Sequence, residues 1–209
     1  MRMDLPADPR PPSRSRTDPQ HTLIEQALRE PGGGDRHPAL IEQLTAEIER
    51  RQAAGQAEPM AEFARQFYDK FPLQELHGRA LSDLYASASG GWHFLQNFDA
   101  SRPKVQIFNP EFDRHGWQLP HTVIALLCRD MPFALDSVRG ELNSRNITII
   151  TIHSASLRVQ RDERHRLMRL LPHNGDIAAE STTEAFIYLE INRHSNPDDL
   201  AQLQQAIEQ

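Results

Sequence analysis

The stretch HTVIALLCRDMPFALDSVRGELNSRNITIITIHSASLRV, residues 121–159, decides how the chain folds. Thr122–Arg129 is a segment of strand length whose residues Val123–Cys128 are an unbroken apolar run. Asp130, Met131, Pro132 and Phe133 interrupt it, and an amphipathic helix over residues 132–145 follows. A long strand rich in β-branched residues then spans 147–159. In the first strand Val123, Ala125 and Leu127 face one way, while Ile124, Leu126 and Cys128 face the other. A sheet covered by helices on one side needs only one apolar face. The second face therefore needs its own cover, either the N-terminal helices or a second chain. In 147–159 the apolar parity switches between Ile152 and Leu157, which predicts a bulge near residues 154–156.

Mixed charges at 161–166 form a turn, and residues 167–171 form a third strand. Residues 173–176 are a second turn signal, and alternation over 185–191 marks a fourth strand. A final helix starts near Pro197, with Asp198 and Asp199 in its first turn where the macrodipole favours acids. It reaches Gln209 without a stop signal, which suggests a polypeptide that continues. Upstream, Val105, Ile107 and Phe108 form a short strand. The resulting order is close to the ferredoxin-like βαββαβ arrangement. It lacks a helix between the third and fourth strands, so a swapped variant of the same sandwich also fits.

Before Ser101 the period is helical. Leu23, Ile24, Ala27 and Leu28 suggest a short helix, followed by a Gly32-Gly33-Gly34 linker. Leu40, Ile41, Leu44 and Ile48 mark the next helix. A third runs over 58–71, where Phe63, Phe67 and Phe71 make a core stripe and Pro72 stops it. A fourth carries Leu81, Leu84, Tyr85, Ala88, Trp92 and Leu95, capped near Ser82 and open to a break at Gly90-Gly91. The expected division is a disordered Pro- and Arg-rich tail over 1–20, a helical segment over 21–100 and an α/β domain over 101–209.

A net charge of −6 over 209 residues gives no general attraction to nucleic acid or to an anionic membrane. No run approaches the roughly 18 apolar residues a bilayer span needs, and the N-terminus lacks a secretory apolar core. One cysteine, Cys128, excludes an intrachain disulfide framework and fits the cytoplasm. On a buried strand it is an inert apolar residue rather than a nucleophile. The histidines lack ligand spacing, so no metal site is expected. Ser137, His121 and Asp130 lack a nucleophile elbow to support a triad. The arginine-rich run 158–169 carries acids and no interleaved aromatics, and reads as a solvated hairpin tip rather than an RNA surface. Trp117, beside Gly116, is read as core packing.

The segments KVQIFNPEFDRHGW (104–117), HTVIALLCRDMPFALDSVRGEL (121–142) and EAFIYLEINR (184–193) resemble the N-terminal, ACT-like region of the large bacterial NAD-specific glutamate dehydrogenases. The resemblance covers about residues 81–209, and its most specific part is residues 129–133 with Asp136, Ser137 and Val138. It implies an α+β, ACT-like or ferredoxin-like antiparallel sheet with helices on one face, preceded by a helical segment. It further implies a full protein that oxidatively deaminates L-glutamate to 2-oxoglutarate with NAD, of which this segment is a non-catalytic regulatory or assembly part. No G-x-G-x-x-G follows a strand, so no cofactor is expected here. Expected partners are the rest of the polypeptide and other subunits, with an amino-acid effector as a further candidate; neither nucleic acid nor membrane is expected. The alternative is a stand-alone amino-acid-binding or adaptor module.

The loop's own residues support a concrete site. Asp130 can cap the following helix and Pro132 fits its first turn. The helix's unpaired N–H groups suit a carboxylate. Asp130 or Asp136 could meet an ammonium group. Asp130, Met131, Pro132, Phe133 and Asp136 are thus the effector-binding candidates, against the readings of a plain turn or an oligomerising surface.

Overall fold

The computed structural model describes residues 36–53, 55–172 and 181–208. The 1–20 tail, the helix at Leu23–Leu28, the triple-glycine linker and the 173–176 turn lie outside the described residues.

Helices α1 (Arg36–Arg51), α2 (Ala57–Tyr68), α3 (Leu73–His77) and α4 (Leu81–Leu95) come first. Then follow β1 (Lys104–Phe108), α5 (Phe112–His115), β2 (Thr122–Arg129), α6 (Ala134–Ser144), β3 (Ile149–Arg161), β4 (Leu167–Leu171), β5 (Thr182–Ile191) and α7 (Pro197–Ile207). One antiparallel sheet holds all five strands, in the order β1-β2-β5-β3-β4. β2, α6 and β3 form a split βαβ unit, with β5 inserted between its two strands. The second helix of the sandwich is α7, which follows β5 rather than preceding it. The strand it would lead to is replaced by β1, which takes the free edge of β2 and packs against α7. A sandwich with its outer strand supplied from upstream accounts for the departure from βαββαβ. β4 is an added hairpin strand on the other edge.

Both faces of β2 are covered, by different layers. Ile124, Leu126 and Cys128 pack with Val138 and Leu142 of α6 and Leu203 and Ile207 of α7. Val123, Ala125 and Leu127 join the core made with α1, α2 and α4. The N-terminal helices are therefore the lid that the two-faced strand required. Phe63, Phe67 and Phe71 sit at its centre, as the stripe predicts, in contact with Phe186 and Tyr188 of β5.

Carboxylates at both ends of β5 tie the lid down. On the face that carries Phe186 and Tyr188, Glu184 and Glu190 are each 2% exposed. Glu190 accepts from Arg79, from the Tyr188 hydroxyl at 2.9 Å and pairs with His121 Nδ1 at 3.1 Å. Arg161 grips Glu184 through two 2.7 Å bonds and also donates to the Leu95 carbonyl at 3.0 Å. Lys104 Nζ donates to the carbonyls of Phe94 and Asn97. The C-terminal carbonyls of α4 thus meet two cations, the favourable sign for that end of a helix dipole.

Several local expectations are corrected. Asp130 does not cap α6. The N-cap position is Phe133, at φ 68°, without a side-chain cap, and Asp130 instead accepts from the Ser156 hydroxyl at 2.7 Å. The β3 register shifts lie between Ile149 and Thr151 against β5 and between Gln160 and Arg161 against β4, not at 154–156; at the first, Ile150 turns outward while Ile149 and Ile152 share the α6/α7 core. The aromatic helix ends at Tyr68, and Pro72 is the N-cap of α3. No side chain caps α4; its N-cap is Ala80 rather than Ser82. α4 also runs unbroken through Gly90-Gly91, and the two glycines differ. A Cβ at Gly91 would stand 2.9 Å from the Phe63 ring, whereas one at Gly90 would meet nothing within 4 Å. Gly90→Ala is expected to raise stability by up to about 1 kcal/mol from helix propensity. Gly91→Ala should lose that gain to overpacking of about 1–3 kcal/mol. Urea midpoints of the two variants moving together would contradict this.

Candidate functional site

Asp130, Met131, Pro132 and Phe133 follow the end of β2, where the strand's last pairing is Arg129 with Glu184. The Asp130 N–H donates to the Thr183 carbonyl at 3.1 Å, and its carboxylate holds Ser156 on β3. The loop root is thereby fixed to two neighbouring strands. Its tip is open: Met131 is 50% and Phe133 75% exposed. Phe133 is bulky and left-handed, a conformation that costs about 1–3 kcal/mol unless its surroundings impose it. Asp136 stands exposed in the first turn of α6, where the dipole alone accounts for an acid. The structure keeps the five candidates on one loop and helix turn, all of them exposed. The loop presents an apolar tip rather than a buried polar pocket.

Cys128, next to this loop, is buried, and burial with the nearby Asp130 and Glu184 charges pushes its thiol up to about 11. The thiolate that alkylates is therefore scarce at pH 8. Iodoacetamide should label the folded chain far more slowly than the urea-unfolded one; equal rates would refute the buried assignment.

A second place was not foreseen. Between α4 and the β1–β2 side of the sheet lies a cleft of about 1000 Å³. Val123, Ala125, Phe186 and Tyr188 line it from the sheet, and α4 contributes Ala86, Gly90 and Gly91. The α5 segment adds the exposed Phe112, and Trp117 follows it. Small residues make the cleft: the run Ala86-Ser87-Ala88-Ser89-Gly90-Gly91 denies α4 the side chains that would fill it. Gly116, at φ 75°, ends α5 and turns the chain into Trp117, with room for only a light contact to Ala86. The legible signal was this six-residue run of small side chains on a helix otherwise rich in Leu and aromatics.

The charged side chains lining the cleft are of one sign. Arg51, Lys104 and Arg114 line it together with His93 and His115, and among the described residues no aspartate or glutamate does. Most of the five are engaged. Arg51 pairs with Glu47 and lies over the Tyr85 ring. Lys104 is held by its two carbonyls, and burial first, then the Arg161 charge, lowers its pKa. His93 Nδ1 lies 2.7 Å from the Ser89 carbonyl, and His115 Nδ1 accepts from the Glu111 N–H. Arg114 is exposed and makes no ion pair among the described residues. No three His, Cys, Asp or Glu side chains come together as a metal site among those residues, and none of their helices is long and apolar enough to cross a membrane.

The family model described as glutamate dehydrogenase, ACT1 domain, matches residues 63–207. An NAD-specific glutamate dehydrogenase of Halomonas elongata is 44% identical over 169 residues, covering 80% of this chain and 10% of that relative. One of Pseudomonas aeruginosa is 39% identical over 145 residues, covering 69% of this chain and 9% of that relative. The chain thus spans about a tenth of the length of the curated relatives it matches. No solved structure matches it.

Proposed function

The chain belongs to the glutamate dehydrogenase ACT1 domain family, and we propose that it is a non-catalytic regulatory and assembly domain from the N-terminal region of a large, cytoplasmic NAD-dependent glutamate dehydrogenase. In this reading the whole protein converts L-glutamate to 2-oxoglutarate and reduces NAD, with that chemistry carried outside these residues. The observation that carries the reading is the similarity to two dehydrogenases, each about ten times longer than the matched segment.

The 130–133 loop is the proposed contact with the rest of the polypeptide or a neighbouring subunit. A firmly rooted loop that exposes Met131 and Phe133, the latter in a costly left-handed conformation, supports docking. An amino-acid effector would bind at that junction, with Asp130 and Asp136 available to its ammonium group and Pro132 bordering it.

The test uses the full-length dehydrogenase and the double variant Met131→Lys/Phe133→Lys, which changes only exposed side chains. Glutamate-dependent NAD reduction per folded active site should persist. The sedimentation mass or the steepness of the response to amino acids should change. A variant identical to the parent in both respects would remove the docking role from this loop.

A further inference from the structure

We propose that the cleft between α4 and the β1–β2 side of the sheet binds an organic carboxylate with an extended apolar body, at a site separate from the 130–133 loop. Three observations converge. The first is size: about 1000 Å³ exceeds what a free small amino acid fills and suits a larger ligand. The second is charge. Every ionisable side chain lining the cleft other than Tyr85 and Tyr188 is basic, and Arg114 is left without an ion-pair partner among the described residues. An ammonium group would find no carboxylate among the described lining residues, so the cleft favours a simple anion over a zwitterionic amino acid. The third is Trp117. It is 4% exposed and lines the cleft, and its indole N–H makes no hydrogen bond among the described residues while keeping access to solvent. A bound carboxylate oxygen would take the place of water as its acceptor. The remaining surface, from Val123, Ala125, Phe186 and Phe94, is apolar and accepts a hydrocarbon body.

The ligand is held rather than transformed; no bond is made or broken. Arg114 supplies the charge at the mouth, Trp117 supplies a donor, and the sheet supplies the apolar floor.

Decanoate is the probe, titrated into the whole chain by calorimetry and by fluorescence of the two tryptophans, Trp92 and Trp117. Decylammonium, acetate and L-glutamate are the comparison ligands. One-to-one saturable binding of decanoate is expected, with no binding of the other three. Arg114→Ala should weaken it about fivefold, in keeping with an exposed charge contact. Gly90→Leu, which adds bulk from the lining where a Cβ meets open space, should abolish it. Trp117→Phe should remove the fluorescence response and weaken binding while leaving far-ultraviolet circular dichroism unchanged. Absence of saturable binding, equal binding of decylammonium, or indifference to both Arg114→Ala and Gly90→Leu would overturn the proposal. Success or failure here leaves the loop-docking experiment untouched, since neither Met131 nor Phe133 lines the cleft.

Discussion

Arg161→Ala is expected to destabilise the chain by roughly 3–5 kcal/mol, the usual effect of stranding one member of a buried ion pair. Arg161 and Glu184 side chains are 10% and 3% exposed, and the guanidinium meets both carboxylate oxygens at 2.7 Å. Without it, Glu184 is left in the interior with its charge uncompensated. The Leu95 carbonyl at the end of α4 also loses its donor. Replacing both partners at once, as Arg161→Met with Glu184→Leu, should cost far less, because no orphan charge remains. Urea denaturation of the parent, the single variant and the double variant provides the comparison. Equal losses in the single and double variants would mean that the salt bridge is not what makes the position sensitive. The pair joins β3 to β5, and Arg161 joins both to α4, so its loss should loosen the lid specifically. Proteolysis should then open α4 before the sheet.

The local architecture was legible wherever a short-range pattern carried it. β2 and β4 lie where their apolar runs predict, and α7 starts at Pro197 because Asn196 caps it and proline suits the first helical position. The two apolar faces of β2 forecast two covering layers. What stayed hidden depends on partners distant in the chain. Arg161 reads as part of a solvated arginine run until Glu184, 23 positions on, folds against it. Asp130 reads as a helix cap until Ser156 takes its carboxylate and Phe133 turns left-handed ahead of α6. Gly90-Gly91 reads as a helix break, yet the second glycine is there because Phe63 lies against it. The cleft is the sharpest case. It is an absence of side chains, created where small residues on α4 face an aromatic sheet, and periodicity reports what fills a core rather than what does not.

Glu75 gives the chain a pH dependence of predictable sign. Burial alone would raise its carboxyl, but hydrogen bonds from His153 and Thr151, with the charges of His153 and Arg79, outweigh that and hold it below its ordinary value of 4.5. The folded form therefore binds this proton less readily than the unfolded form. The resulting stability is fully present above the unfolded value and is lost as pH falls through the lowered folded value. Urea midpoints of the parent should fall faster than those of Glu75→Gln as pH drops below about 4.5. Parallel curves would assign the acid sensitivity to other carboxylates.

Phe67→Ala should match the ion-pair variant in size, at about 3–5 kcal/mol for a fully enclosed aromatic. Phe67 is 4% exposed and contacts five other rings: Phe63, Tyr68, Phe71, Phe186 and Tyr188, with centroids 4.6–5.5 Å away. It is the residue through which α2 grips β5. Neighbouring rings cannot all close on the space it leaves, because Phe186 and Tyr188 are held by the sheet register and Tyr188 is further tied to Glu190. Phe67→Leu keeps most of the volume and should cost clearly less. Phe67 also lines the cleft, packed against the Phe186 and Tyr188 rings of its floor, so the alanine variant enlarges it there. That makes the two measurements separable. The ion-pair variant should lower stability and leave decanoate affinity intact while folded, whereas Phe67→Ala should change both. If calorimetry on folded Phe67→Ala returned the parent's affinity, the cleft floor would not be where the apolar body rests, even with the stability loss confirmed.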